Sequence, residues 1–229
     1  MFFCLLCHGI NPPGRDLCPE CLRQLPWNRF HCERCAEPWD DPFTGLCQHC
    51  VTEEPYFDLC YSPLRYAFPV DQLILQGKQP NRGELLLALG RLLGHCILRD
   101  RIPLPDLILP VPLHPDKQQT RGFNQAGILA RLVARRLRRP LRYDVITKVR
   151  ERGPQKALSR AERQQNLQRA FRINRTVLRA LPQLPRHVVL VDDVMTTGST
   201  LNQLARQLRS SGVERVDGWA VARAARQSR

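Results

Sequence analysis

With 229 residues, 43% hydrophobic and 24% charged, the chain is long enough for one ordinary α/β domain plus a small appendage, and it has the apolar material for a real core. No apolar run is long enough to span a bilayer, and the start MFFCLLCHGI lacks a basic leader region and a small-residue cleavage site. No membrane-spanning helix is expected, and a cytosolic (cytoplasmic) protein is expected. The net charge of +14 points instead to anionic partners such as nucleic acid, phosphorylated metabolites or acidic lipid.

That charge is unevenly placed. Residues 1–60 hold 4 Lys/Arg against 9 Asp/Glu, whereas residues 117–179 alone hold 18 against 3. The acidic part is also the cysteine-rich part. Eight of the ten cysteines form four Cys-x-x-Cys pairs: Cys4 and Cys7, Cys18 and Cys21, Cys32 and Cys35, Cys47 and Cys50. Each pair can present two thiolates to one metal, and two pairs complete a tetrahedral sulfur site, so eight cysteines suit two structural Zn2+ ions. A disulfide framework fits poorly, because nothing else looks secreted. A redox relay lacks the strand and helix that normally surround it. Spacing is compatible with sequential sites (Cys4, Cys7, Cys18, Cys21, then Cys32, Cys35, Cys47, Cys50) and with crossed ones, and the sequential arrangement is preferred. His8, His31 and His49 stand near ligands but are not needed. The segment is short and poor in aliphatic residues, so metal must supply much of its folding energy. Four sulfurs leave no open coordination position, which makes its role structural or partner-binding. Cys60 and Cys96 read as ordinary buried cysteines.

From about Tyr61 the pattern becomes one of alternating helices and strands. LLLALGRLLGHCIL (85–98) reads as a largely buried helix. DLILPVPL (106–113) reads as a short strand running into a loop. FNQAGILARLVARRLRR (123–139) is an amphipathic helix with Ala126, Leu129, Leu132, Val133 and Leu137 on one face and arginines opposite. Pro182 and Pro185 mark a loop, and RHVVLVDD is a buried strand ending at two carboxylates. LNQLARQL (201–208) is a helix with Leu201, Leu204, Ala205 and Leu208 inward and Gly212 as its stop, and ERVDGWAVA (214–222) is a further strand. Such alternation implies a mainly parallel sheet flanked by helices. The expected division is 1–58 for the zinc-binding head and 59–229 for the α/β domain.

The stretch VVLVDDVMTTGST (188–200) concentrates the chemistry. Ligands of open parallel sheets bind beyond the carboxyl ends of strands. Asp192 and Asp193 stand at such an end. The loop from Met195 to Thr200 then leads into a helix, whose first N–H groups and positive dipole end suit a phosphate. Gly198 lets backbone approach closely, while Thr196, Thr197, Ser199 and Thr200 offer hydroxyl groups. A sugar phosphate satisfies both halves, its diol meeting the carboxylates and its 5′-phosphate the loop. A plain helix cap needs one Asp, not two followed by a run of small residues. A P-loop is excluded, because no Gly-x-x-x-x-Gly-Lys-Ser/Thr occurs.

The same stretch resembles the 5-phosphoribosyl-1-diphosphate (PRPP) signature of type I phosphoribosyltransferases. Three further features resemble the ComF/GntX family of competence and DNA-utilisation proteins: the Cys-x-x-Cys head, the segment LPVPLHP…TRGFNQA (109–126), and GPQKALSRAERQQNLQRAF (153–171). The resemblance covers nearly the whole chain and keeps the order of its parts. It implies a type I phosphoribosyltransferase fold with an N-terminal double zinc ribbon. It also implies that Asp192 and Asp193 hold the ribose hydroxyls and that Thr196, Thr197, Gly198, Ser199 and Thr200 hold the 5′-phosphate. Arg121 and Gly122 would contact pyrophosphate, and the segment around 150–166 would be a lid over PRPP. The implied reaction is Mg2+-dependent displacement of pyrophosphate at C1. Lys156 and Arg163, with Arg152 and Arg160, are candidates for stabilising the developing charge by position alone. Lys78 is a further candidate phosphate contact.

Two other readings are compatible with these features. One is a nucleic-acid-handling factor that keeps the fold and binds DNA, single-stranded DNA in particular, through the basic 117–179 segment. Its few aromatics, Phe123, Tyr143 and Phe171, argue against extensive base stacking. The other is an adaptor whose zinc head docks a competence or DNA-processing partner. No residue specifies the acceptor.

Overall fold

A computed structural model describes residues 2–42, 44–113, 122–148 and 170–226. Two short helices, α1 (Pro19–Arg23) and α2 (Gln48–Thr52), belong to the cysteine-rich head. The remaining elements are β1 (Leu59–Tyr61), β2 (Leu64–Arg65), α3 (Val70–Gly77), α4 (Gly83–Arg99), β3 (Leu107–Pro110), α5 (Gln125–Leu137), β4 (Ile146–Lys148), β5 (Phe171–Ile173), α6 (Arg175–Arg179), β6 (His187–Met195), α7 (Ser199–Arg209) and β7 (Arg215–Arg223).

The main sheet is parallel, in the order β1-β7-β6-β3, with β2 also pairing β7 beyond the end of β1. β4 and β5 form a separate antiparallel pair. The apolar run of β6 has the reason expected for a central parallel strand, which is burial on both faces. Val188 and Leu190 join the core beneath α7, while Val189 and Val191 join the core against α4 and α5. β3 divides in the same way, with Leu107 and Leu109 on the α7 side and Ile108 on the other. All four inward residues assigned to α7, Leu201, Leu204, Ala205 and Leu208, are buried.

The helices lie where their periodicity puts them. Asn124 caps α5 by accepting a hydrogen bond from the Ala126 N–H at 3.1 Å, and Gly212 takes up a φ of +99° just beyond α7. Cys60 and Cys96 are buried, as expected. β6 runs further than its sequence suggests. It continues through both aspartates to Met195, because residues 192, 194 and 195 still pair in register with residues 220, 222 and 223 of β7. The carboxylates therefore project from the last residues of a rigid strand, and the loop is confined to residues 196–198. Among the described residues no helix is long and apolar enough to cross a membrane.

The head is two copies of one small structure. In each, a Cys-x-x-Cys knuckle is followed by a residue at positive φ: His8 at 58° and Ala36 at 55°. The N–H of that residue bonds back to the first cysteine's carbonyl, His8 to Cys4 at 3.0 Å and Ala36 to Cys32 at 2.9 Å. The first cysteine's own N–H reaches the carbonyl of the next residue along, Cys4 to Gly9 and Cys32 to Glu37, both at 2.9 Å. Each copy closes with a third and fourth cysteine at the start of α1 or α2. The copies differ in what they touch. Cys32, Cys35 and Cys50 are part of the core that also contains Phe57, Met195 and Leu201. The first copy lays Leu5, Leu6, Leu17 and Leu22 against the opposite core, and its Asp16 pairs with Arg91 of α4.

Candidate functional site

The two sulfur clusters settle the pairing left open by spacing. Cys4, Cys7, Cys18 and Cys21 converge, as do Cys32, Cys35, Cys47 and Cys50, with all Sγ atoms of a set within 4.8 Å of one another. Sulfurs on a tetrahedral zinc, each about 2.3 Å from the ion, stand roughly 3.8 Å apart. The Sγ atoms of Cys7 and Cys18 are 3.8 Å apart, and those of Cys35 and Cys47 are 3.6 Å apart. Backbone N–H groups point at the sulfurs: Cys18 donates to Cys4 Sγ at 3.3 Å and Cys47 to Cys32 Sγ at 3.2 Å. The Cys35 thiol and neighbouring backbone donors hold the Cys32 thiol down to about 4, against the opposing effect of burial. A full set of sulfur donors with supporting amides fits Zn2+, and no histidine is required.

The second site lies at the carboxyl end of β6. Asp192 and Asp193 are half-buried, and each side chain folds back on the chain. The Asp193 N–H donates to Asp192 Oδ1 at 2.8 Å, and the Val194 N–H donates to Asp193 Oδ1 at 2.9 Å. Burial, and then the negative charge of Asp193 beside it, push the Asp192 carboxyl well above the ordinary carboxylate range. Lys78, just past α3, reaches Asp193 with its Nζ 2.7 Å from Oδ2. The sequence suggests Lys78 as a phosphate contact. In the structure it neutralises one of the two carboxylates, which lowers the cost of holding the pair together.

Beyond the aspartates, Leu190, Asp192, Thr196, Gly198, Thr200 and Leu201 line a recess whose floor includes Gly218 of β7. A Cβ at Gly218 would collide with the Leu201 side chain, so glycine there lets α7 sit close to the sheet. Gly198 takes φ +79° as the N-cap of α7 and supplies no side-chain cap. The loop is closed by its own hydroxyls. Thr197 Oγ1 donates to Ser199 Oγ at 2.9 Å, and the Ser199 N–H donates to Thr197 Oγ1 at 3.3 Å. Among the described residues the N–H groups of Thr197 and Gly198 donate no hydrogen bond. Free amides, a helix start and a recess floored by glycine form a cradle for a small anion.

The site therefore brings together Asp192, Asp193, Thr196, Thr197, Gly198, Ser199 and Thr200. Gly122, at φ +76°, lies three residues before α5. Arg121, Lys156 and Arg163, with Arg152 and Arg160, lie outside the described residues. Two residues that matter to the loop escape a reading of the sequence, Arg223 at the end of β7 and Glu37 after the second knuckle. Arg223 is wholly buried. A charged residue closing the apolar run WAVA is the available signal.

The loop glycine gives a local test. Gly198→Ala would place an L-residue at φ +79° and set its Cβ 2.8 Å from Met195 Cε. The left-handed conformation costs about 1–2 kcal/mol. Thermal unfolding should show a Tm lower by roughly 2–4 °C for each kcal/mol in a chain of this length.

Comparison with known proteins gives a consistent result. Residues 121–228 match the model of the phosphoribosyl transferase domain, and residues 3–51 match that of the double zinc ribbon domain. The chain is 34% identical to Competence protein F of Haemophilus influenzae over 97% of each protein. It is 33% identical to DNA utilization protein YhgH of Escherichia coli K12 over 96% of each. A glutamine PRPP amidotransferase from B. subtilis, solved with ADP and GMP, is 21% identical with a TM-score of 0.42 over 59% of this chain and 26% of that one. The fold assignment rests on the domain match and the parallel sheet, not on that slight likeness.

Proposed function

The chain belongs to the ComF/GntX family of competence and DNA-utilisation proteins, and from that premise we propose that it binds PRPP at the end of β6 and acts in the uptake or utilisation of DNA. The observation that carries this reading is the combination at one strand end of two half-buried carboxylates and a loop with free N–H groups at a helix start. The carboxylates would accept hydrogen bonds from the ribose 2′- and 3′-hydroxyls. Thr197, Gly198 and the first turn of α7 would take the 5′-phosphate. Lys78, 2.7 Å from Asp193, holds that carboxylate in place at the strand end.

The described residues outside the cysteine sets hold no cluster of three potential metal ligands. Two carboxylate oxygens fit a Mg2+ ion that enters with the diphosphate and keeps most of its oxygen ligands from phosphate and water. Mg2+ would neutralise the leaving pyrophosphate. The residues of the site bind and orient the sugar, and Arg121, Lys156 and Arg163 are the proposed donors to the diphosphate end. Calorimetric titration of Mg2+–PRPP into zinc-loaded protein tests the reading. Saturable binding is expected, and its absence from folded, zinc-loaded protein would overturn it.

A second reading is favoured by α5. Arg131, Arg135, Arg138 and Arg139 are exposed at and after its outer face, and none pairs with a carboxylate among the described residues. Unpaired guanidinium groups on one face suit a phosphate backbone. Binding to single-stranded DNA should weaken as salt rises. Changing these four arginines to Gln should flatten the plot of log K against log salt by about 0.7 for each phosphate that an arginine had neutralised. An unchanged slope would remove α5 from any DNA interface.

A further inference from the structure

The loop beneath the proposed phosphate is held from behind, and what holds it is the second zinc ribbon. Arg223 has no exposed surface. Its Nε donates to the carbonyl of Cys35, a zinc ligand, at 3.0 Å. Its Nη2 meets Glu37, two residues further along the same knuckle. Its Nη1 donates to the carbonyls of Met195, at 3.3 Å, and of Thr196. The backbone N–H of Arg226 donates to the other oxygen of Glu37 at 2.6 Å, and the Arg226 Nη2 donates to the Thr197 carbonyl at 3.0 Å.

Three consecutive carbonyls, those of Met195 at the end of β6 and of Thr196 and Thr197 in the loop, are thus turned toward arginines anchored on the ribbon. In a planar trans peptide the C=O of one residue and the N–H of the next point in opposite directions. Fixing those carbonyls inward turns the N–H groups of Thr196, Thr197 and Gly198 outward, away from the arginines. Two of these are the free N–H groups of the cradle.

The first ribbon has no counterpart. The position equivalent to Glu37 is Gly9, which has no side chain to reach the body, and this copy is tied instead through Asp16 to Arg91 of α4. We propose that the second zinc ribbon is a positioning part of the phosphate loop, acting through Glu37 and Arg223, and that the first is not. The proposal rests on the reading of this loop as the PRPP cradle, but its mechanical half can be measured without PRPP.

The test uses full-length, zinc-loaded protein. Glu37→Gln removes the charge that holds Arg223 and keeps the side-chain shape. Arg223→Lys keeps the charge and loses the fork. Asp16→Asn cuts the tie of the first ribbon and serves as the control. Backbone order parameters of residues 196–198 are measured by NMR relaxation without PRPP, and PRPP affinity is measured separately. In E37Q, and in R223K where it folds, the order parameters should fall from the rigid range, near 0.85, toward the flexible range, below about 0.6. PRPP affinity should fall roughly 10- to 100-fold, as is usual when a supporting partner of a site is removed. Asp16→Asn should change neither. A folded E37Q with two zinc ions and a rigid loop would overturn the proposal, whatever its PRPP affinity. If wild type binds no PRPP while E37Q still loosens the loop, the bracing stands and the PRPP reading falls.

Discussion

Changing Asp192 and Asp193 together to Asn should abolish PRPP binding and, at neutral pH, make the unliganded protein more stable. Hydrogen bonds to a charged group contribute about 1.5–3 kcal/mol each, so losing the charge at both should weaken PRPP by on the order of 100- to 10,000-fold. Calorimetry with Mg2+–PRPP reads that loss. The stability gain comes from Asp192. Its folded-state carboxyl is raised above the ordinary range by burial and by Asp193, so the folded protein binds more protons than the unfolded chain. Stability contributed at this residue therefore falls as pH rises from the ordinary carboxylate range through the raised folded value. Asn at 192 removes that dependence. It also retains an oxygen to accept the Asp193 N–H, which bonds Asp192 at 2.8 Å in the native protein. Asp192→Asn alone should raise Tm by a few degrees at pH 7, with the gain over wild type shrinking toward pH 4. Asp193→Asn should show less gain, because it leaves Lys78 unpaired in a partly buried position. Stability given up for function in this way is what separates a binding pair from a structural one. If both single variants destabilise the fold and leave PRPP affinity intact, the acidic pair is structural.

The acidic pair and its loop are legible in the sequence because their signal is local. Thirteen consecutive residues, 188–200, hold the strand, the carboxylates, the glycine and the helix start, so the chemistry needs no tertiary knowledge. The cysteine ligands are legible for a related reason, since Cys-x-x-Cys spacing is a local constraint on chelation. Which pairs share a metal is not, because closing a loop of about ten residues or of about forty costs a similar free energy, and only the folded knuckles decide it. Lys78 illustrates a different limit. The segment QGKQPNRG suggests a place near the site, but the partner of Lys78 is Asp193, far along the chain, and charge alone does not identify it. Arg223 and Glu37 are harder still. An arginine at the end of an apolar strand looks like a residue emerging into solvent. Here the strand end is covered by the second ribbon, and acceptors gather around every nitrogen of the guanidinium. A buried charge of that kind is tolerable only when its partners are complete. Those partners come from the second knuckle, from the end of β6 and from the neighbouring Ala224, and only the fold brings them together.

The unequal docking of the two ribbons leads to unequal consequences for metal loss. Cys35→Ala and Cys7→Ala each remove one ligand from one zinc site, so metal analysis of each should fall from two zinc ions per chain to one. Cys35 is almost wholly buried in the core shared with Phe57, Met195 and Leu201, and its carbonyl is an anchor of Arg223. Losing the second zinc should unpack that core and leave Arg223 short of partners, at a cost on the order of 3–5 kcal/mol, a large part of the stability of an ordinary domain. A Tm lower by roughly 10 °C or more is expected. Cys7 is exposed, and its ribbon meets the body through partly buried leucines and one exposed ion pair. Losing the first zinc should melt that ribbon locally, because a structural zinc site supplies the folding energy of its own small module. The main unfolding transition should move by about 1 kcal/mol or less. Calorimetric scans of the two variants decide the matter. Equal and large losses would mean that both ribbons are integral to one core. Equal and small losses would mean that the second ribbon only leans on the sheet, and that the interior it shares with Met195 is held by the body alone.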